Sequence, residues 1–415
     1  MGARDNAGRR LGHALGRFRR PSFAVVCVVM WLEAIGANMV HPVEPAFYIA
    51  LGLPDWIFGA AYAAMAFGLF AFSPLWGVVS DRVGRVPTLA ATTALYGCSQ
   101  LAFCVSTTVP TILLARFAAG AFCSGALVCA MAYVADVTEP SKMGRSMSIY
   151  GATQVTATAL GYTVGGLVGV NDPAHSFVLQ FFLLVLTGAA AFLLMGEGPH
   201  FRRSDVRLTV RNANPLAAFA GTRSLLSPWM VLFLVAELLA CTSTSSFDNS
   251  FNYYLRDQYG FPTTYNGAIY AVMGVLGFCA NMFIGLRLQR GRDPERSVSV
   301  VLGLCALMLA IAVGAGSMPV FLVLNMVYYM FNSMYLPLLQ ALAMKGAGAE
   351  HGKVSGLFQS VKSFGMVSGS LIAGFIYEVN VHAPFVLSVC VLVGGVVAML
   401  GARRFALTQG RHPGR

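Results

Sequence analysis

Long apolar runs alternate with short polar breaks from one end of the chain to the other. Twelve runs reach the length that carries a helix across a bilayer core, about 20 residues. They lie near 22–45, 57–79, 87–106, 110–137, 145–170, 176–196, 227–252, 265–287, 297–315, 318–344, 353–378 and 384–402. None alternates with a period of two, which argues against a transmembrane β-barrel, the other closed way to satisfy backbone polar groups in lipid. The pattern predicts an all-α membrane protein with twelve transmembrane helices.

The pattern also repeats. At a constant offset of 208, Gly52 matches Gly260, Pro54 Pro262, Gly59 Gly267, Tyr62 Tyr270 and Met65 Met273. Further along, Gly77 matches Gly285, Arg82 Arg290, Gly144 Gly352, Gly161 Gly369 and Gly166 Gly374. Repetition at a fixed offset that also aligns the spans marks a duplicated unit. Two pseudo-symmetric halves of six helices are expected: a basic tail 1–21, a bundle 22–196, a central loop 197–226, a second bundle 227–404 and a tail 405–415.

Composition agrees with a membrane class. The chain has 415 residues, 57% hydrophobic and only 11% charged, where soluble domains carry about 25%. The net charge of +11 would suit a nucleic-acid binder, but its distribution does not. On the twelve-span frame, 25 of the 28 Lys and Arg fall on one side, Arg256 falls on the other, and Arg116 and Lys362 lie within spans. This is the positive-inside bias. It predicts cytoplasmic termini, a lipid bilayer as partner with the basic side toward anionic headgroups, and no nucleic acid. A basic tail before an apolar run suits a signal peptide, but this run is too long, so it is read as a retained first span.

All nine Cys lie in apolar runs with no CxxC pair. Buried Cys behaves as a small hydrophobe, so neither disulfides nor a metal site is expected. There is no P-loop, no metal-spaced His/Cys cluster and no sign of covalent chemistry. The chain is therefore read as a non-enzyme without cofactor, a monomer, acting on a small molecule.

The most specific motif is Gly77-Val-Val-Ser-Asp81-Arg82-Val-Gly84-Arg85-Val86, between spans 2 and 3. Gly77 would let two helices approach at the turn, Asp81 suits a helix N-terminus, and Arg85 can pair with Asp136 at the end of span 4. With two six-span halves, this loop resembles the major facilitator superfamily of secondary transporters, and in particular its twelve-span drug:proton antiporters. The resemblance implies a carrier whose halves rock around a substrate held near the midplane, in a cell membrane. It also implies that Asp81, against the start of span 11 near Gly352, and Arg85 with Asp136 form a latch for the outward-open state. The second copy has Gln289 in place of Asp81, so the latch is asymmetric.

Arg116-Phe-Ala-Ala119-Gly120 in span 4 resembles the family's Arg-x-x-Gln-Gly, with Ala119 for Gln. Arg116 is either a partner for a protonatable carboxylate or a snorkelling, packing Arg. In span 5, Gly151 and Gly161-Tyr162-Thr-Val-Gly165-Gly166 resemble the antiporter motif, with Tyr162 for Pro. The resemblance implies close packing of span 5 on span 8. Pro42-Val-Glu44-Pro45 is similar to the Pro-x-x-Pro of such antiporters and should break span 1 at its outer mouth.

Glu33, Glu237 and Lys362 are the deep ionisable residues, and such residues are functional by default. Glu33 lies eleven residues into span 1, roughly 16 Å at 1.5 Å per residue. Lys362 occupies the position that matches Gln154. Glu44 is expected on the same helical face as Glu33, and Asp248 on that of Glu237, eleven residues away in each case. Both outer carboxylates are expected to be solvated. Trp31, Phe247, Phe251, Tyr253 and Tyr254 are candidates for an adaptable apolar site. The expected function is proton-coupled efflux of amphipathic compounds, with protons as coupling ion and Glu33 as leading proton site. The alternatives are carriage of an organic anion on Lys362 and Arg116, or a lipid flippase or membrane sensor on the same fold.

Overall fold

The computed structural model describes residues 21–199, 201, 227–289, 293–346 and 351–408. Among these, twelve long helices follow one another: α1 (Phe23–Met39), α2 (Ile57–Val83), α3 (Arg85–Cys104), α4 (Val109–Val137), α5 (Met143–Val168), α6 (Pro173–Leu194), α7 (Pro228–Tyr259), α8 (Thr263–Ala280), α9 (Pro294–Val313), α10 (Met318–Gly346), α11 (His351–Val379) and α12 (Ala383–Thr408). The fold is the expected all-α one. Nine spans are both long and apolar enough to cross a membrane among the described residues. The helices outside that set, α3, α5 and α11, are diluted by Thr, Ser, Gln, Gly and Lys. In α3 these polar residues face inward: Thr88, Thr92, Thr93, Ser99 and Gln100 are all buried.

Local sequence sets several helix starts. Thr108, Asp172, Ser227 and Asp293 each stand before a helix with Pro in its first turn. Asp172 accepts from the Ala174 amide at 2.9 Å, Ser227 from Met230 at 3.2 Å and Asp293 from Arg296 at 3.0 Å. The cap satisfies a free amide, and proline there forfeits one that has no partner anyway. Gly260 ends α7 with φ of 63°. Span 1 is interrupted: α1 stops at Met39, and a short helix, Glu44–Ala50, follows the turn around Pro42. That break defeats the expectation that Glu44 shares a face with Glu33. The α7 helix runs unbroken from Glu237 through Asp248, so that pair keeps its common face.

The described residues divide into two compact units, one drawn from 1–43 with 68–215 and the other from 44–67 with 216–415. In the first, α1 packs on α5 and α6, and α3 on α4 and α6. In the second, α7 packs on α11 and α12, and α9 on α10 and α12. These are the same pairings six helices later. Small residues make them close. A Cβ at Gly161 would come 2.6 Å from the Ile35 carbonyl oxygen, and one at Gly165 would sit on that of Met39. In α11, a Cβ at Gly369 would sit on the Thr242 carbonyl oxygen of α7.

The segment 44–67 belongs to the first sequence repeat but packs within the second unit. Tyr253 Oη donates to Asp55 Oδ1 at 2.7 Å, and Tyr377 Oη to Asp257 Oδ2 at 2.8 Å. Phe58 stacks on Tyr253 with centroids 4.8 Å apart and meets Tyr377 edge-on at 5.4 Å. Gly59 and Gly374 let α2 and α11 touch along their backbones: a Cβ at Gly374 would come 2.6 Å from the Trp56 carbonyl oxygen.

Candidate functional site

The loop between α2 and α3 is organised by Arg85. Its Nε donates to Asp136 Oδ2 at 3.1 Å and its Nη1 to Ser80 Oγ at 2.7 Å, and the guanidinium also pairs with Asp81. Arg82 is exposed. Gly77, expected to permit a close approach, faces open space where a Cβ would be. The tight glycine is Gly84, with φ of 128° and Glu197 Oε1 2.5 Å from where its Cβ would sit. Glu197 was not singled out from the sequence. Its carboxylate accepts from the Arg85 and Val86 amides at 3.1 and 3.0 Å, closing the α3 N-terminus, where the helix dipole favours a negative charge.

Inside the first unit, α1 holds Glu33 at 2% exposure, with Oε1 making no hydrogen bond. The Tyr96, Cys123 and Tyr150 side chains lie within its electrostatic reach. Gln154 of α5 comes beside α1, its Nε2 3.5 Å from the Met30 carbonyl oxygen. Arg116 of α4 is also 2% exposed, with its guanidinium 4.6 Å from the centre of the Phe103 ring. A cation over an aromatic face is stabilised where water is excluded. Tyr96 and His41 both feel the Arg116 charge. Tyr96 therefore stands within reach of both Glu33 and Arg116.

In the second unit, Glu237 of α7 is 0% exposed, and neither carboxylate oxygen has a hydrogen-bond partner. Lys362 of α11 is the charge that acts on it. Lys362 is fixed beside α7 by its carbonyl, which accepts from Cys241 Sγ at 3.2 Å. Asp248 and Glu44 differ from the solvated state expected of them. Asp248 Oδ1 is buried without a partner, and Glu44 is 7% exposed. Span 1 breaks at Pro42, Glu44 opens the short helix that follows as a buried residue, and Asp248 lies well inside the long α7.

The span-5 glycines divide in use. Gly161 and Gly165 meet α1 within their unit, whereas Gly151 faces open space; Gly166 also lies on α5. The aromatics proposed as an adaptable site are mostly core. Phe247, Phe251 and Tyr254 are buried and pack with Phe321, Tyr328 and Phe385. Tyr253 serves the Asp55 contact. Trp31 donates to Thr156 Oγ1 at 3.3 Å. Among the described residues, no group of His, Cys, Asp and Glu is arranged to hold a metal ion.

A model of the Major Facilitator Superfamily matches residues 26–370. The chain is similar to Multidrug resistance protein 2 of Bacillus subtilis, 22% identical over 378 residues, covering 90% of this chain and 93% of that one. It is similar to the class C tetracycline resistance protein of Escherichia coli, 26% identical over 371 residues, covering 86% and 89%. Among solved structures, the nucleoside transporter NupG superposes with a TM-score of 0.76 at 13% identity, covering 92% of this chain and 99% of that one. The family model spans most of the twelve helices and the folds agree over nearly the whole length, so the chain belongs to the Major Facilitator Superfamily of multi-pass membrane transporters.

Proposed function

We propose that this transporter exports small amphipathic organic compounds in exchange for protons, by alternating access, with Glu33 as the proton site. The observation that carries the reading is Glu33 itself: a carboxyl at 2% exposure in a membrane helix, with Oε1 unpartnered. A carboxyl in that setting is costly unless it exchanges a proton or meets a cation. The names of the relatives, which concern multidrug and tetracycline resistance, support export of such compounds. Asp81, Arg85 and Asp136 act as the conformational latch, with Gly84 and Glu197 holding its backbone. The protein works as a monomer in the cell membrane with both termini cytoplasmic.

A second reading is favoured by one observation. Lys362 stands near a fully buried Glu237 that has no hydrogen bond, an arrangement that can exchange its internal partner for an organic anion.

The test is uptake into proteoliposomes carrying an imposed pH gradient. Tetraphenylphosphonium and ethidium represent organic cations, and benzoate and salicylate organic anions. Accumulation of a cation, dependent on the gradient and lost in Glu33→Gln, is expected. Accumulation of an anion only, lost in Lys362→Ala, overturns the proposal in favour of the second reading.

A further inference from the structure

Unpartnered buried polar atoms gather between α3 and α6 in the first unit. Gln180 of α6 is 0% exposed, and neither its Oε1 nor its Nε2 has a partner. Gln100 of α3 is 0% exposed. Its Nε2 donates to the Tyr96 hydroxyl at 3.3 Å, and its Oε1 accepts nothing. The hydroxyls of Thr93 on α3 and Thr187 on α6, each residue 1% exposed, are also without partners.

The packing of α3 on α6 sets these four residues at matching levels. Phe103 meets Phe177 edge-on at 5.1 Å. A Cβ at Gly97 would touch the Leu184 Cβ at 3.1 Å, and one at Gly188 would meet the Ala90 carbonyl oxygen at 2.7 Å and the Ala94 amide at 3.3 Å. This antiparallel register sets Gln100 level with Gln180, and Thr93 level with Thr187. The two levels are seven residues apart, about 10 Å along the helices.

Helix geometry alone does not explain the orphans. A threonine or serine in an apolar helix ordinarily turns its hydroxyl onto a carbonyl one turn back. Thr88, Thr92 and Ser99 do so on α3 itself. Thr93 and Thr187 make no such bond, and their buried hydroxyls are left without a partner. Each unmet donor or acceptor costs about 1–3 kcal/mol. A water molecule in a polar site with two to four partners removes that cost. Between the two levels on α3 stands Tyr96, whose hydroxyl accepts from Gln100 and which is close enough to Glu33 and Arg116 to feel their charges.

We propose that internal water fills the seam between α3 and α6 and, ordered by Gln100, Gln180, Thr93 and Thr187, forms a hydrogen-bonded route that carries protons to and from Glu33 through Tyr96. The route rests on the reading of Glu33 as the proton site. When Glu33 is deprotonated, its proton passes to a water between it and the Tyr96 hydroxyl. That group releases its own proton to the next, and the chain of waters reorients afterwards. No net charge stays on Tyr96, and the amides order the waters without carrying the proton.

The test uses the full-length protein with Gln100→Leu and Gln180→Leu, combined and singly, beside Glu33→Gln. Substrate-driven proton flux and equilibrium binding of tetraphenylphosphonium are measured in proteoliposomes. Positioned proton transfer is worth about 10²–10⁴ in rate, so flux in the double variant should fall at least about tenfold with binding unchanged. Wild-type flux in the double variant, with higher thermal stability because unmet polar groups are gone, marks a dry seam and overturns the route. Reduced flux in the double variant with full flux in Glu33→Gln overturns the assignment of Glu33. A high-resolution experimental structure of the wild type reads the seam without any substrate. Water density between Gln100 and Gln180 is expected, and side chains closed directly on each other contradict the proposal.

Discussion

Arg85 and Glu197 show how much one side chain organises in this fold. Arg85 gathers Asp81, Ser80 and Asp136, while Glu197 accepts from two backbone amides at the start of α3. Loss of a capping side chain costs about 0.5–2 kcal/mol. Glu197→Ala should therefore lower the midpoint of thermal unfolding in detergent, and Glu197→Gln, which keeps an acceptor, should lower it less. Equal midpoints for Glu197→Ala and wild type would refute the cap. Legibility at this scale was uneven. Arg85 and Asp136 were readable because the Gly-Asp-Arg-Gly-Arg spacing lies between two spans. Glu197 was not, because its partners lie more than one hundred residues earlier, at an amide contact that side-chain patterns do not encode. Glu44 was misread because its face was deduced from a continuous helix, and the chain turns at Pro42.

At the scale of helices, the fold rests on backbones brought together by small residues, and the glycines of α5 separate that role from mere presence. A Cβ at Gly165 would sit on the Met39 carbonyl oxygen, whereas one at Gly151 would meet nothing within 4 Å. Gly165→Val should thus give little folded protein. Gly151→Ala should be neutral or stabilising by roughly 0.5–1 kcal/mol, the cost of glycine in a helix interior. Size-exclusion chromatography and thermal unfolding of both variants check the contrast. The segment 44–67 makes a second element-scale contact. Tyr253→Phe removes one hydrogen bond to Asp55, worth about 1 kcal/mol net, and keeps the Phe58 stack. Asp55→Asn retains an acceptor and should cost less. A larger loss from Asp55→Asn than from Tyr253→Phe would place the stabilisation elsewhere. The number of helices was legible because length and apolarity report directly on bilayer thickness, whereas some limits were not: α1 stops at Met39 and α7 runs on to Tyr259. The docking of 44–67 onto α7 and α11 was not legible, since hydropathy says where a helix crosses and nothing of its neighbours.

At the scale of the whole molecule, the offset of 208 in the sequence reappears as packing. α1 with α5 and α3 with α6 recur as α7 with α11 and α9 with α12. The chemistry departs from that symmetry. The first repeat has Gln154 where the second has Lys362, and Asp81 where the second has Gln289. The deep carboxyls also sit differently, Glu33 within reach of Tyr96 and Glu237 beside Lys362. Two similar scaffolds thus hold unlike groups, which suits a carrier that couples two different species. The most direct measurement of the proposed proton coupling is proton movement in everted membrane vesicles with an acidified lumen, followed with a pH-quenched dye on addition of tetraphenylphosphonium. Lumenal alkalinisation in the wild type that is absent in Glu33→Gln is the predicted result. Alkalinisation of equal size in Glu33→Gln would contradict the account.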